Sequence, residues 1–253
     1  MSESQRYKFN KIQGGARRMI IWAGTSNKDV GMIIEHYPSV IFPQRNQEVL
    51  QIPGRNGAIV LPYGAFQNYE QSYQAFLDAK YIGGLEQVMP RVADWLLGND
   101  GYHKLEDSYF PDTYRMAYYS GGTEFISVFN EYGEGTLTFN CAPERYFKKG
   151  DKEIVLTKGQ TLRNMSSFDA MPLITVTGSG QGVLTFNSSN VTITNIGTSV
   201  TIDVKLHRAY NGTTNRSNTI SGQYENLKLG KETTITWSGG ITGVTIAPRW
   251  WTI

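Results

Sequence analysis

A single cysteine, Cys141, stands among 253 residues. That excludes an internal disulfide framework and any zinc cage built on thiolates. Histidine is almost as scarce: His36, His103 and His207 are the only three, and none shows the H-x-x-x-H type of spacing that metal ligands favour. Long apolar runs are missing too. The apolar stretch near the N-terminus, Met19 to Ala23, is five residues long, too short for the core of a signal peptide, and nothing in the chain approaches a bilayer-spanning length. The chain is therefore expected to be soluble, made in the cytoplasm and not inserted in a membrane. The five Asn-x-Ser/Thr sequons, at Asn164, Asn187, Asn190, Asn211 and Asn215, then carry no weight. Neither a G-x-S-x-G elbow nor a Walker lysine is present. Gly178-Ser179-Gly180-Gln181-Gly182 imitates a phosphate loop, but no helix follows to bind the anion, so it is expected to be a turn between two strands.

Charge is also modest, 18% of residues with a net +2, which is no nucleic-acid footprint. Its distribution is uneven. Residues 1–28 hold six Lys/Arg against Glu3 alone, whereas 29–150 are net acidic. A basic arm beside an acidic body suits an electrostatic contact within an assembly, and equally a plain solvated arm.

What the chain does have is aromatic residues (12%, including 15 Tyr) and 27 glycines, a mixture that favours β-structure with many turns. Composition shifts near residue 150, where Thr, Ser, Asn and Gly take over, so two domains are expected, 1–150 and 151–253. In the first, the segments around 30–44 and 47–62 look extended, and Pro53-Gly54-Arg55-Asn56-Gly57 marks a hairpin, with Gly54, Arg55 and Gly57 as its structural turn. Two helices are predicted. Tyr69, Tyr73, Phe76 and Leu77 form one stripe at helical spacing, and Val88, Val92, Trp95 and Leu96 another, starting near Gln87 with Pro90 in its first turn and stopping at Gly98. Three strand-like runs follow, the last placing Leu137, Phe139 and Cys141 on one face. Cys141 is thus expected to be structural, since free cysteine is among the most buried residue types.

The second domain repeats Val/Ile/Thr strand signals every 8–12 residues, the pattern of a β-sandwich or jelly roll. Acidic pairs such as Glu106-Asp107 and Glu131/Glu134 lie in or beside turns, where solvation explains them as well as glycosidase chemistry would. Tyr224, Trp237, Trp250 and Trp251 suit either a sugar-stacking platform or a core and subunit contact. Because Trp250 and Trp251 are adjacent, only one can face inward from a strand, and the other is a candidate exposed or interface aromatic.

Taken in order, the Pro53–Gly57 hairpin, two helical segments, the ending Phe139-Asn140-Cys141-Ala142-Pro143 with Tyr146 beyond, Pro172 to Gly180, and the closing strands around 201–212 and 220–250 resemble a siphophage distal tail protein of phages infecting Gram-positive bacteria. The resemblance covers nearly the whole chain. It implies a mainly β protein with minor α: an N-terminal β-sandwich-like, ring-forming domain with two helices and an extended hairpin, and a C-terminal galectin-like sandwich. It implies a non-enzymatic hub without cofactor or metal, a homo-hexamer at the distal end of the virion tail, assembled in the host cytoplasm. Its implied partners are the tail tube protein, the tail-associated tip protein, the tape measure protein and the baseplate or receptor-binding proteins. No sequence-specific nucleic-acid contact is expected, because residues 1–150 hold 15 Lys/Arg against 16 Asp/Glu. His207-Arg208 lacks the accompanying Asn-x-Arg and Trp-Gly-x-Glu of galectins, so a galectin-like fold would bring no sugar site. A carbohydrate-binding module for host cell-wall glycan is the alternative.

Overall fold

Strict alternation of buried and exposed side chains, the signature of a strand with one covered face, organises most of the chain. The structure is a computed structural model that describes residues 18–79, 83–128 and 131–253. Most of the basic arm, Arg6 to Arg17, lies outside the described residues. The chain divides into two compact units, Met1–Arg145 with Ile253, and Tyr146–Thr252. The expected mainly β class is observed throughout.

In the first unit, β1 (Ile20–Trp22), β2 (Thr25–Ser26) and β3 (Met32–Ile34) precede a long hairpin, β4 (Arg45–Gln51) and β5 (Ala58–Phe66). Then come β6 (Tyr69–Asp78), α1 (Leu85–Leu97), β7 (His103–Asp107), β8 (Thr113–Tyr119), β9 (Phe125–Val128) and β10 (Tyr132–Phe147). Among the described residues, strand pairing gives the order β2-β1-β7-β8-β10-β6-β3, with β9 also on β10, while β4 and β5 pair only with each other. The core joins Ile20, Trp22, Met32, Leu77, Leu105, Leu137, Phe139 and Cys141 to Val88, Val92, Trp95 and Leu96 of α1. Trp95 Nε1 donates to the Trp22 carbonyl at 3.2 Å, tying the helix to the sheet.

Two expectations need correction. The first predicted helix is the strand β6, whose burial alternates along its length. Tyr69, Tyr73 and Leu77 fit both periods, because spacings of four and eight are even as well as helical. Gln71 and Ala75 decide between them. Both face inward, and Gln71, 1% exposed, donates its amide to the Ser39 carbonyl at 3.1 Å. The second helix forms, but it starts at Leu85, two residues early, behind Gly84 (φ 97°). Pro90 is therefore past the first turn, on the exposed side of α1. At the far end the Gly98 N–H bonds the Asp94 carbonyl, as the expected stop requires.

The second unit contains β11 (Ile154–Val155), β12 (Gln160–Arg163), β13 (Leu173–Phe186), β14 (Ser189–Ile193), β15 (Ser199–Asp203), β16 (Arg208–Asn211), β17 (Thr214–Asn215), β18 (Ile220–Ser221), β19 (Glu232–Ala247) and β20 (Trp251–Thr252). The expected turn at 178–182 is a bulge inside one strand. β13 runs unbroken for 14 residues against the 16 of β19, with register shifts around Gly178 and Gly182. On one side of the bulge, β13 pairs with β15; on the other it pairs with β14. β19 likewise pairs β11 near one end and β12 near the other. The two long strands thus pass from one layer of a sandwich to the other, a recognised way to build its corner. Ile174, Val176, Leu184, Phe186, Ile235, Val244 and Ile246 fill the space between the layers.

Candidate functional site: an uncovered hairpin

β4 and β5 grow from the turn that the sequence marks. The Arg55 N–H bonds the Ile52 carbonyl at 3.1 Å, and Gly54 and Gly57 take φ of 81° and 82°. A Cβ at either glycine would meet nothing within 4 Å, so glycine is required here by backbone conformation and not by space. Arg55 is exposed beside them. The register Glu48↔Leu61, Val49↔Val60, Leu50↔Ile59 then sets which side chains share a face. One face carries Leu50, Ile59, Leu61 and Tyr63, whose hydroxyl donates to Glu48 Oε2 at 2.8 Å. The opposite face carries Val49, Val60 and Pro62.

Among the described residues, nothing covers either face. Val49 is 52%, Val60 50%, Leu61 42% and Tyr63 61% exposed, and Phe42, just before β4, is 72% exposed. A lone two-stranded sheet is marginal in water, and contiguous exposed apolar surface of this kind marks an interaction site. Chemically the surface can bury apolar area and offer strand edges. It carries no cluster suited to catalysis.

The other sequence candidates are dispersed. Trp250 and Trp251 are both half-buried against the core of the second unit. Trp251 stacks on Phe168 (centroids 4.5 Å apart) and donates Nε1 to the Asp169 carbonyl at 3.0 Å. Trp237 is 9% exposed, within the core. Tyr224 stacks against His207, whose Nε2 lies 3.0 Å from Glu225. His103 packs edge-on against Trp22, and His36 is exposed. Among the described residues, no group of three or more His, Cys, Asp or Glu is placed to hold a metal ion. Glu106 and Asp107, adjacent in β7, point to opposite faces of the sheet.

Asp107 belongs instead to a buried network that the sequence reading missed. Its Oδ2 accepts from Arg115 Nη1 at 2.7 Å and from the Tyr73 hydroxyl at 3.1 Å, while Oδ1 accepts the N–H groups of Tyr109 and Phe110. Burial alone would favour a neutral Arg115, but Tyr73, Tyr69 and Asp107 hold its pKa above the ordinary value. Strand parity carried the signal: Asp107 shares a face with buried Leu105, and Arg115 with buried Ala117.

Cys141 is fully buried on β10 beside Leu137 and Phe139 in the same core. Burial, opposed by Arg115 and Arg145 and reinforced by Asp107, pushes its thiol from 9.0 up to about 12. At neutral pH the thiolate is then on the order of one part in a hundred thousand. The native protein is expected to resist alkylation until denaturant is added. Unfolding lets the thiol ionise near its ordinary value, so its contribution to stability is whole below about pH 9 and is lost as pH rises towards 12. Tyr73, raised mainly by burial, acts in the same direction. Thermal unfolding followed across that range should show a smaller alkaline loss in Cys141→Ala than in the parent.

Comparison with protein-family models and with curated proteins finds no match. Among solved structures, the fold is that of components of phage adsorption apparatus and baseplates. In particular, the Dit protein (gp 19.1) of phage SPP1, described as a paradigm of hub adsorption apparatus in phages infecting Gram-positive hosts, matches with a TM-score of 0.71. The identity is 12%, over 90% of this chain and 97% of that one. A chain of the phage p2 baseplate, in its activated conformation with Sr, matches at a TM-score of 0.51 and 10% identity, over 92% of this chain and 98% of that one. At such identities the likeness is one of fold.

Proposed function

We propose that this chain is a non-enzymatic structural hub at the distal end of a phage tail. In this reading the first unit closes a hexameric ring. The ring joins the tail tube to the tip or baseplate, and the second unit, a galectin-like sandwich, faces outward to anchor receptor-binding components. The tail tube, tail-associated tip and tape measure proteins are then its neighbours in the virion, after assembly in the host cytoplasm. Support comes from the end-to-end fold likeness to a hub protein, and one observation on this chain carries the reading: the β4–β5 hairpin exposes apolar side chains on both faces. A head-to-tail contact, in which such an element from one subunit lies against a different surface of the next, closes a ring when the rotation divides a full turn.

Light scattering after size exclusion, at low and moderate salt, tests this. The wild type is expected near six times 28.4 kDa. Val49→Asp/Leu61→Asp, which places a charge on each hairpin face, is expected to elute as a monomer with unchanged circular dichroism. A wild type that stays monomeric in the presence of tube and tip proteins, or a variant that still assembles, would sink the hairpin-mediated ring.

A further inference from the structure

The hairpin tip joins two features that together are reactive. Asn56 immediately precedes Gly57, and both are exposed. Gly57 leaves open space where a Cβ would stand. Among the described residues, neither the Asn56 carboxamide nor the Gly57 N–H makes a hydrogen bond, and strand pairing resumes only at Gln51↔Ala58. A backbone nitrogen that follows asparagine can reach the side-chain carbonyl carbon and close a five-membered ring. A side chain on the following residue hinders that approach, and hydrogen bonds on either group restrain it. Exposed loop tips also sample the conformations such an approach needs.

We propose that Asn56 is a site of spontaneous deamidation, with water as the only co-reactant. The Gly57 nitrogen forms a bond to Asn56 Cγ, the Cγ–Nδ2 bond breaks, and ammonia leaves carrying the proton given up by the peptide nitrogen. Water then opens the succinimide at one of its two carbonyls, leaving aspartate or isoaspartate at position 56. Nothing is oxidised or reduced. The product puts a carboxylate beside Arg55, and the isoaspartyl form adds a backbone carbon to a turn whose length sets the hairpin register.

The chain supplies its own control. Asn211-Gly212 is the second Asn-Gly pair, but Asn211 is half-buried at the end of β16, opposite Thr214, and its Nδ2 donates to the Ser199 carbonyl at 3.1 Å. The inference concerns the free subunit and stands apart from the hub reading.

The test incubates the purified full chain carrying Val49→Asp/Leu61→Asp, which leaves the hairpin tip intact and keeps the subunit free, in warm, mildly alkaline buffer, then compares the peptides bearing Asn56 and Asn211 by mass spectrometry. Isoaspartate is scored by enzymatic methyl labelling. Asn56 is expected to convert several-fold faster than Asn211 in the folded protein, and the two at similar rates in denaturant. Gly57→Ala, with its fold checked by circular dichroism, should slow Asn56 severalfold. Conversion at Asn56 no faster than at Asn211 overturns the proposal, as does an advantage that persists undiminished in denaturant. The light-scattering mass of the same samples is read separately, so failure of the ring and failure of this chemistry are told apart.

Discussion

Replacing Arg115 by methionine is expected to destabilise the first unit by about 3–5 kcal/mol, the usual cost of leaving one member of a buried ion pair unpaired. Arg115 and Asp107 side chains are 3% and 2% exposed, so water offers little relief. Asp107→Asn in the Arg115→Met background should restore much of the loss. An asparagine still presents an oxygen to the N–H groups of Tyr109 and Phe110, and it removes the stranded charge. Amide hydrogen exchange in β7 and β8 reads the effect unit by unit, which a single melting curve of a two-unit chain does not. Additive losses in the double variant would show that the pair is not coupled.

Gly240→Ala is expected to cost the second unit about 3 kcal/mol, the upper end for overpacking. A Cβ at that position would lie 1.6 Å from the Ser179 carbonyl oxygen, and the reciprocal Cβ at Gly178 would lie 2.0 Å from the Gly240 oxygen. Both obstacles are backbone, so no rotamer change relieves them. Gly180, in the same bulge, separates the two reasons for a glycine. It has φ of 66° but nothing within 4 Å of a Cβ, so Gly180→Ala should cost only about 1 kcal/mol, from backbone strain alone. Urea unfolding of the two variants compares them directly. Equal losses would mean that close approach of β13 and β19 is not what fixes the corner.

These two sites also show where the sequence was legible. Local signals came through: the Pro53–Gly57 turn, the α1 stripe with its Gly98 stop, and the inward side of Leu137, Phe139 and Cys141 each depend on residues a few positions apart. β6 was lost because a buried Gln71 imitates a polar position, and its partner, the Ser39 carbonyl, is 32 residues away in sequence. The bulge was lost because the glycines of a close backbone crossing look like those of a turn until the partner strand is known. Asp107 was read as solvated beside a turn, although its strand parity with Leu105 pointed inward, and Arg115, which shares a face with Ala117, was not singled out. Most of the hairpin surface was hidden for a different reason: alternation predicts strands, but nothing local says whether another strand or a partner covers them.

The clasp between the two ends of the second unit has a topological consequence. Phe147 N–H bonds the Trp250 carbonyl at 2.9 Å, and Arg249 N–H bonds that of Gly150 at 2.8 Å. The sandwich is therefore a cassette whose entry and exit are already side by side. A module with that geometry can be enlarged or exchanged for another whose ends meet.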